Sequence, residues 1–291
     1  MINLGGTAYR FHPLFVMLML LSLATGYFVE LLTLFGLVFI HEMGHVAAAK
    51  AFGWTVREVQ FLPFGGVAVV EESGSMPARE ELWVALAGPL QNLWMIALAL
   101  LMKAAGWDND GWWDYFLKAN AMLGLFNLLP VLPLDGGKVL LSVLSYWVSY
   151  HRAMLFCAWS SLAFSCVLLG GTLLTLSTAG LHLNLLMIGV FLLYSNWYGY
   201  RHLPYQFIRF LMSREKTAAR QRGKGIPAQP LLVHEQAPVG EVARRLMRER
   251  HHLIYVCGPE GRIRGVLPER RLIDSYFTDA KTGRAVSELI M

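Results

Sequence analysis

The sequence predicts a polytopic α-helical membrane protein with six transmembrane segments, a small membrane-associated β-hairpin and a C-terminal α/β domain. Three observations lead there. Hydrophobic residues make up 55% of the 291 positions and charged residues only 15%, a balance too apolar for one ordinary soluble domain. The apolar residues gather into segments near the roughly twenty residues that cross a hydrocarbon core. Most of the Lys and Arg, by contrast, crowd into residues 201–291, so a membrane part precedes a soluble part.

The apolar segments lie near residues 11–28, 30–52, 82–104, 115–149, 153–177 and 181–200. The first has the length of a signal peptide, but it lacks a small-residue cleavage site and the next segment follows at once, so it reads as a retained span. The fourth is too long for one straight span. Pro130-Val131-Leu132-Pro133 interrupts it, and a proline inside a helix removes a hydrogen bond and clashes with the preceding turn, so a broken helix is expected.

Positive charges set the orientation. Arg10, then Lys50, Arg57 and Arg79, then Arg152, then the Arg201-to-Lys224 cluster fall on one side of the segments, which the positive-inside rule makes cytoplasmic, with both termini there. The opposite loops are Tyr27 to Leu31, Gly106 to Tyr115 with Asp108, Asp110 and Asp114, and Ser177 to Leu181. The formal charge of +5 follows from the cytoplasmic loops, and no nucleic-acid motif accompanies it. Cys157, Cys166 and Cys257 form neither a disulfide framework nor a cysteine metal motif.

Between the second and third segments, Val56 to Phe61 and Val67 to Glu71 are β runs around Pro63-Phe64-Gly65-Gly66. They predict a hairpin on the membrane surface, whose edge at Phe64, Gly65, Gly66 and Val67 suits an extended substrate strand.

Chemistry concentrates in His41-Glu42-Met43-Gly44-His45. The histidines are four residues apart and share one helix face, with Glu42 beside them. Ionisable groups at bilayer depth are costly and usually functional. Zinc bound by two histidines and a carboxylate keeps a position open for water, and a neighbouring glutamate takes that water's proton. Asp135, the only acid in Asn127 to Gly137, is the candidate third ligand; the competing role is a helix N-cap ahead of Gly136-Gly137. Asn127 fits an oxyanion donor or an interhelical hydrogen bond. Asn92 and Pro133 are read as structural or as support for the ligands.

The set HEMGH, Gly88-Pro89 to Asn92, and Asn127 to Gly137 with its Pro-Leu-Asp-Gly core resembles the site-2 protease family of intramembrane zinc metalloproteases. The resemblance implies His41, His45 and Asp135 as zinc ligands, Glu42 as general base, and an active site reached from the cytoplasm. Many relatives carry a PDZ domain between spans, but the roughly twenty-five residues after the second span are too few for a domain.

The tail reads as βαββα: Leu231 to Val233, Val239 to Arg250, Leu253 to Val256, a Gly258-to-Gly261 turn and Ile263 to Leu267. This resembles a single CBS domain, and the expected division is a transmembrane metalloprotease domain at 1–205, a basic juxtamembrane linker at 206–225 and the CBS domain at 226–291. Six spans, no PDZ domain and one CBS domain resemble the sporulation branch of the family. That branch implies a membrane-associated sigma-factor precursor (pro-sigma-K-like) as substrate, inhibitory membrane partner proteins, and the mother-cell membrane around the forespore as location. The CBS resemblance implies a homo-oligomer and ATP binding, although Pro268 and Arg271 stand where CBS domains usually carry a hydroxyl and a ribose-binding aspartate. Arg270 and Arg271 retain charge for a phosphate. A metal-ion transporter with a regulatory CBS domain, or a non-catalytic membrane adaptor, are the competing functions; a transporter has no use for Glu42 or an open coordination position.

Overall fold

The structure, a computed structural model, describes residues 2–4, 7–11, 13–62, 65–71, 76–107, 111–175, 183–221, 228–278 and 283–290. Phe64 and Pro63 of the hairpin turn, Asp108 and Asp110, and the expected loop from Ser177 to Leu181 lie outside the described residues. The chain divides into two units, Met1–Glu72 with Arg79–Val139, and Ser73–Ala78 with Leu140–Met291.

In the first unit a four-stranded sheet runs in the order β1 (Ile2–Leu4), β2 (Thr7–Phe11), β3 (Thr55–Leu62), β4 (Gly65–Glu71). Strands β3 and β4 are the expected hairpin, antiparallel with Gly65 opposite Leu62 and Val67 opposite Gln60, and β4 lies at the sheet's edge. The N-terminal strands were not expected. Strand β2 runs parallel to β3, with Ala8 opposite Glu58, a pairing between segments far apart in sequence that no local pattern reports.

Helices α1 (Pro13–Thr25), α2 (Phe28–Ala51), α3 (Ala78–Ala104) and α4 (Trp112–Asn127) complete this unit together with the start of α5 (Asp135–Leu144). The long fourth apolar segment is broken as Pro130 demands: α4 stops at Asn127 and α5 starts at Asp135. Glu80 and Glu81 in the first turn of α3 and Lys103 in its last complement the helix dipole. Among the described residues, three helices are long and apolar enough to cross a membrane: α2, α3 and, in the second unit, α6 (Tyr150–Leu174). Helices α1, of 13 residues, and α4, of 16, are shorter than a straight crossing requires.

The second unit pairs α6 with α7 (Leu183–Gln221), and Asn196 of α7 donates to Ser165 Oγ of α6 at 3.0 Å. Its tail has the βαββα order read from the sequence. Strand β5 (Ala228–His234) lies parallel to β6 (His251–Cys257), which lies antiparallel to β7 (Ile263–Pro268), with α8 (Val239–Arg244) and α9 (Glu269–Thr278) against the sheet. Residues 206–221, expected as a linker, continue α7, and the reason is packing. Phe207, Phe210 and Leu211 are buried in one core with Val242, Leu246, Ile254, Val256, Leu267 and Leu272.

One turn further, buried Arg214 ion-pairs with buried Glu269 and donates to the carbonyls of Met247 and Arg250 at 2.6 and 2.5 Å. The tail also holds the stretch ahead of α3: Arg248 donates to the Met76 carbonyl at 2.6 Å, and Glu249 accepts the N–H of Ala78 at 2.5 Å.

Burial alone would push the Glu269 carboxyl up, but its bonds to His252 and the Arg214 guanidinium outweigh it and hold the pKa at about 2, against an ordinary 4.5. A depressed carboxylate stabilises the fold fully above pH 4.5 and loses that contribution as pH falls toward 2. Thermal unfolding of the tail should therefore shift to lower temperature across that window, and Glu269→Gln should flatten the dependence. Arg214→Leu at pH 7 should destabilise the tail by about 3–5 kcal/mol, because it leaves a buried carboxylate unpaired.

Candidate active site

The pitch of α2 brings His41 and His45 onto one face, and the glycine between them lets that face approach α3. A Cβ on Gly44 would stand 2.5 Å from Gln91 Cγ and 2.7 Å from the Ala87 carbonyl oxygen, closer than real Cβ atoms come. On the facing helix, a Cβ on Gly88 would collide with Nε2 of both His45 and His41. The two glycines of the two motifs thus make a single crossing, with the imidazole tips lying over bare backbone.

Asp135 arrives from the break between α4 and α5. Residues Leu128 to Leu134 fold over the start of α5 so closely that a Cβ on Gly136 would strike the carbonyls of Leu128 and Leu129, and one on Gly137 the backbone of Val131 and Leu132. This places Asp135 at the first residue of α5, where an N-cap role was the competing reading. The N–H groups of Gly137 and Lys138 go instead to the Leu134 carbonyl at 3.1 and 3.3 Å. The carboxylate is thereby left to face the histidines with one oxygen, while the other accepts from Lys138 Nζ at 3.2 Å.

Three donor atoms converge. His41 Nε2 and His45 Nε2 stand 3.1 and 3.0 Å from Asp135 Oδ2, and 3.2 Å from each other. A tetrahedral zinc with bonds of about 2.0–2.1 Å has ligand atoms about 3.3 Å apart, so the observed triangle fits that ion with little adjustment. The far ring nitrogens are also engaged. His45 Nδ1 meets the Val84 carbonyl at 2.7 Å, and His41 Nδ1 meets Asn92 Oδ1 at 2.5 Å, the outer contacts that hold metal-binding imidazoles in place. His41 is 2% exposed, Asp135 5% and His45 8%. Glu42 is half-buried on the same turn, and the ionisable groups that act on it are His45, His41, Asp135 and Lys138.

A metal triad of this geometry on a helical membrane scaffold has close relatives. A model of peptidase family M50 matches residues 29–107 and 95–168. Stage IV sporulation protein FB of Bacillus subtilis is 34% identical over 280 residues, covering 96% of this chain and 95% of that protein. The chain belongs to the site-2 protease family, peptidase family M50. A zinc metalloprotease of Methanocaldococcus jannaschii is 37% identical over 124 residues, 41% of this chain and 35% of that protein. The solved structure of a site-2 protease from Methanocaldococcus jannaschii superposes with a TM-score of 0.55 at 25% identity, covering 68% of this chain and 93% of that one. The protein is thus a zinc metalloprotease of the intramembrane type, and His41, His45 and Asp135 form the metal site its described residues offer.

The other expected site residues lie as follows. Asn92 Oδ1 lies 2.5 Å from His41 Nδ1. Asn127 is the half-buried last residue of α4, at the mouth of the break that carries Asp135. Gly65, Gly66 and Val67 belong to the edge strand β4. Two contributors were not singled out from the sequence: the Val84 carbonyl, which no sequence signal marks, and Asn120, whose side chain meets that of Asn92. A polar residue in a helix of apolar neighbours was the available signal for Asn120.

Gly88→Ala should displace both histidines and lower zinc content and proteolysis together, whereas Gly170→Ala, with nothing within 4 Å of its added Cβ, should alter neither. Zinc per protein by atomic absorption, alongside cleavage in reconstituted membranes, checks the pair.

Proposed function

We propose that this site-2 protease hydrolyses a peptide bond in a membrane-associated sigma-factor precursor of the pro-sigma-K type, with His41, His45 and Asp135 holding zinc and Glu42 moving the proton. The convergence of the three donor atoms at 3.0–3.2 Å beside Glu42 carries this reading. Zinc held there supplies Lewis acidity to the scissile carbonyl and the attacking water. Glu42 accepts the proton from that water and delivers it to the departing amine nitrogen. Asp135 would offer the metal its Oδ2, the oxygen that faces the histidines, since Oδ1 accepts from Lys138 Nζ. Asn127 supplies an amide donor for charge developing on the carbonyl oxygen.

A helical peptide bond is enclosed by its own hydrogen bonds, so the substrate segment must be extended before cleavage. Strand β4, at the edge of its sheet, offers backbone groups for an added strand. Likeness to the B. subtilis sporulation protein along nearly the whole chain supports the sporulation substrate, a mother-cell membrane around the forespore, and control by inhibitory membrane proteins. We retain six spans, with α1, the broken α4–α5 pair and the start of α7 crossing alongside α2, α3 and α6, and both termini cytoplasmic.

The tail is read as a CBS domain that pairs with a second copy. Leu232, Tyr255 and Val266 are adjacent across its three strands, and Leu232 is 64% and Val266 49% exposed. Burying such a row gives a homo-oligomer an apolar contact.

Glu42→Gln should lower cleavage of a pro-sigma-K-like substrate in reconstituted membranes at least about a hundredfold with zinc content unchanged. Near-normal cleavage would remove Glu42 from the mechanism, and zinc flux without proteolysis would favour a transporter. On β4, backbone donors alternate, so of Val67→Pro and Ala68→Pro one should abolish cleavage by removing an outward N–H while zinc stays bound; wild-type rates for both would exclude strand addition. Val266→Lys should shift the detergent-solubilised protein toward monomer in light scattering.

A further inference from the structure

The two histidines reach the same point but are oriented by unlike partners. His45 Nδ1 faces the Val84 backbone carbonyl, which only accepts, so the ring carries its proton on Nδ1 and Nε2 keeps its lone pair. His41 Nδ1 faces a side-chain amide. Turned by half a rotation, that amide would present its NH2 group, impose the opposite tautomer and put a hydrogen on the Nε2 that points at Asp135 and His45.

The ambiguity is removed one helix further away. Asn92 Nδ2 donates to Asn120 Oδ1 at 2.6 Å, and Asn120 Nδ2 donates to the backbone carbonyl of Asn92 at 3.2 Å. The carbonyl fixes which end of the Asn120 amide is the donor; Asn120 then fixes the Asn92 amide, and Asn92 fixes the His41 ring. We propose that Asn120 is a positioning residue, which sets the metal-binding tautomer of His41 through Asn92 by a hydrogen-bond relay anchored on a backbone carbonyl. The proposal rests on the reading of His41 as a zinc ligand.

Two further features fit a relay better than helix adhesion. Asn120 is 0% and Asn92 2% exposed, yet hydrogen bonds between membrane helices add little stability on average, a small return for burying two amides. One turn after Asn120, Gly124 has no Cβ; one built there would come within 3.2 Å of Asn92 Cβ. Its absence lets α4 lie close enough to α3 for the amides to meet.

The test measures zinc affinity by chelator competition on the full-length protein in detergent, with the absorption spectrum of the cobalt-substituted protein as a second readout of ligand geometry. Asn120→Leu should weaken zinc about tenfold, the size expected when an outer-shell partner is lost, and should perturb the cobalt bands. In the Asn92→Leu background, where nothing remains for Asn120 to orient, Asn120→Leu should add no further loss. Asn120→Asp keeps an acceptor for Asn92 and, when protonated, a donor for the carbonyl, so it should bind zinc far better than Asn120→Leu. Should the leucine variant fail to fold, Asn120→Ser carries the same expected loss, because its short hydroxyl bonds back to its own helix. Wild-type affinity in Asn120→Leu or Asn120→Ser, or losses that multiply fully in the double variant, would overturn the relay. Wild-type zinc affinity in His41→Ala would instead overturn the ligand reading on which it stands.

Discussion

The convergence of two imidazoles and a carboxylate inside an apolar helical unit is the constraint on which the rest of this unit depends. Unpartnered, these groups would be costly to bury. Their mutual spacing suits a shared cation, and each is held from behind: His45 by the Val84 carbonyl, His41 by Asn92, Asp135 by Lys138. Every one of those supports demands a particular backbone approach. Gly44 and Gly88 bring α2 and α3 together, Gly124 brings α4 to α3, and Gly136-Gly137 fold the helix break over Asp135. The glycines are therefore as much a part of the candidate site as the three side chains that converge in it.

The broken fourth segment and the edge strand address different halves of one problem. Residues 128–134 are the irregular backbone between α4 and α5, and they fold so that the Asp135 carboxylate faces the two histidines. The sheet has an edge at β4, the strand to which we assign the extended substrate.

The tail is built into the second unit through α7. The aromatic residues Phe207 and Phe210 fill its core and Arg214 joins it by a buried ion pair, so the basic stretch after the last apolar segment is a structural member as far as Arg214. Composition could not report this, because basic residues that follow an apolar segment look the same whether they form a solvated tether or a helix whose apolar face is buried.

The candidate site was legible in part: the i, i+4 spacing of His41 and His45 assigns them one face on any helix, and Asp135 is the only acid in Asn127 to Gly137, beside the proline break. Element order in the tail was legible too, from alternation and turn glycines. Local sequence determines period and breakage, and those sufficed for the hairpin, the interruption at Pro130 and the βαββα pattern. Only the tertiary structure decided what depends on contacts between distant segments: the pairing of Thr7–Phe11 with β3, the turning of the Asp135 carboxylate toward His41 and His45, the carbonyl of Val84 as a histidine partner, and Asn120 behind Asn92. A backbone carbonyl has no residue identity, and a lone asparagine in an apolar helix declares a polar contact without naming its partner, because direction and distance are properties of helix packing.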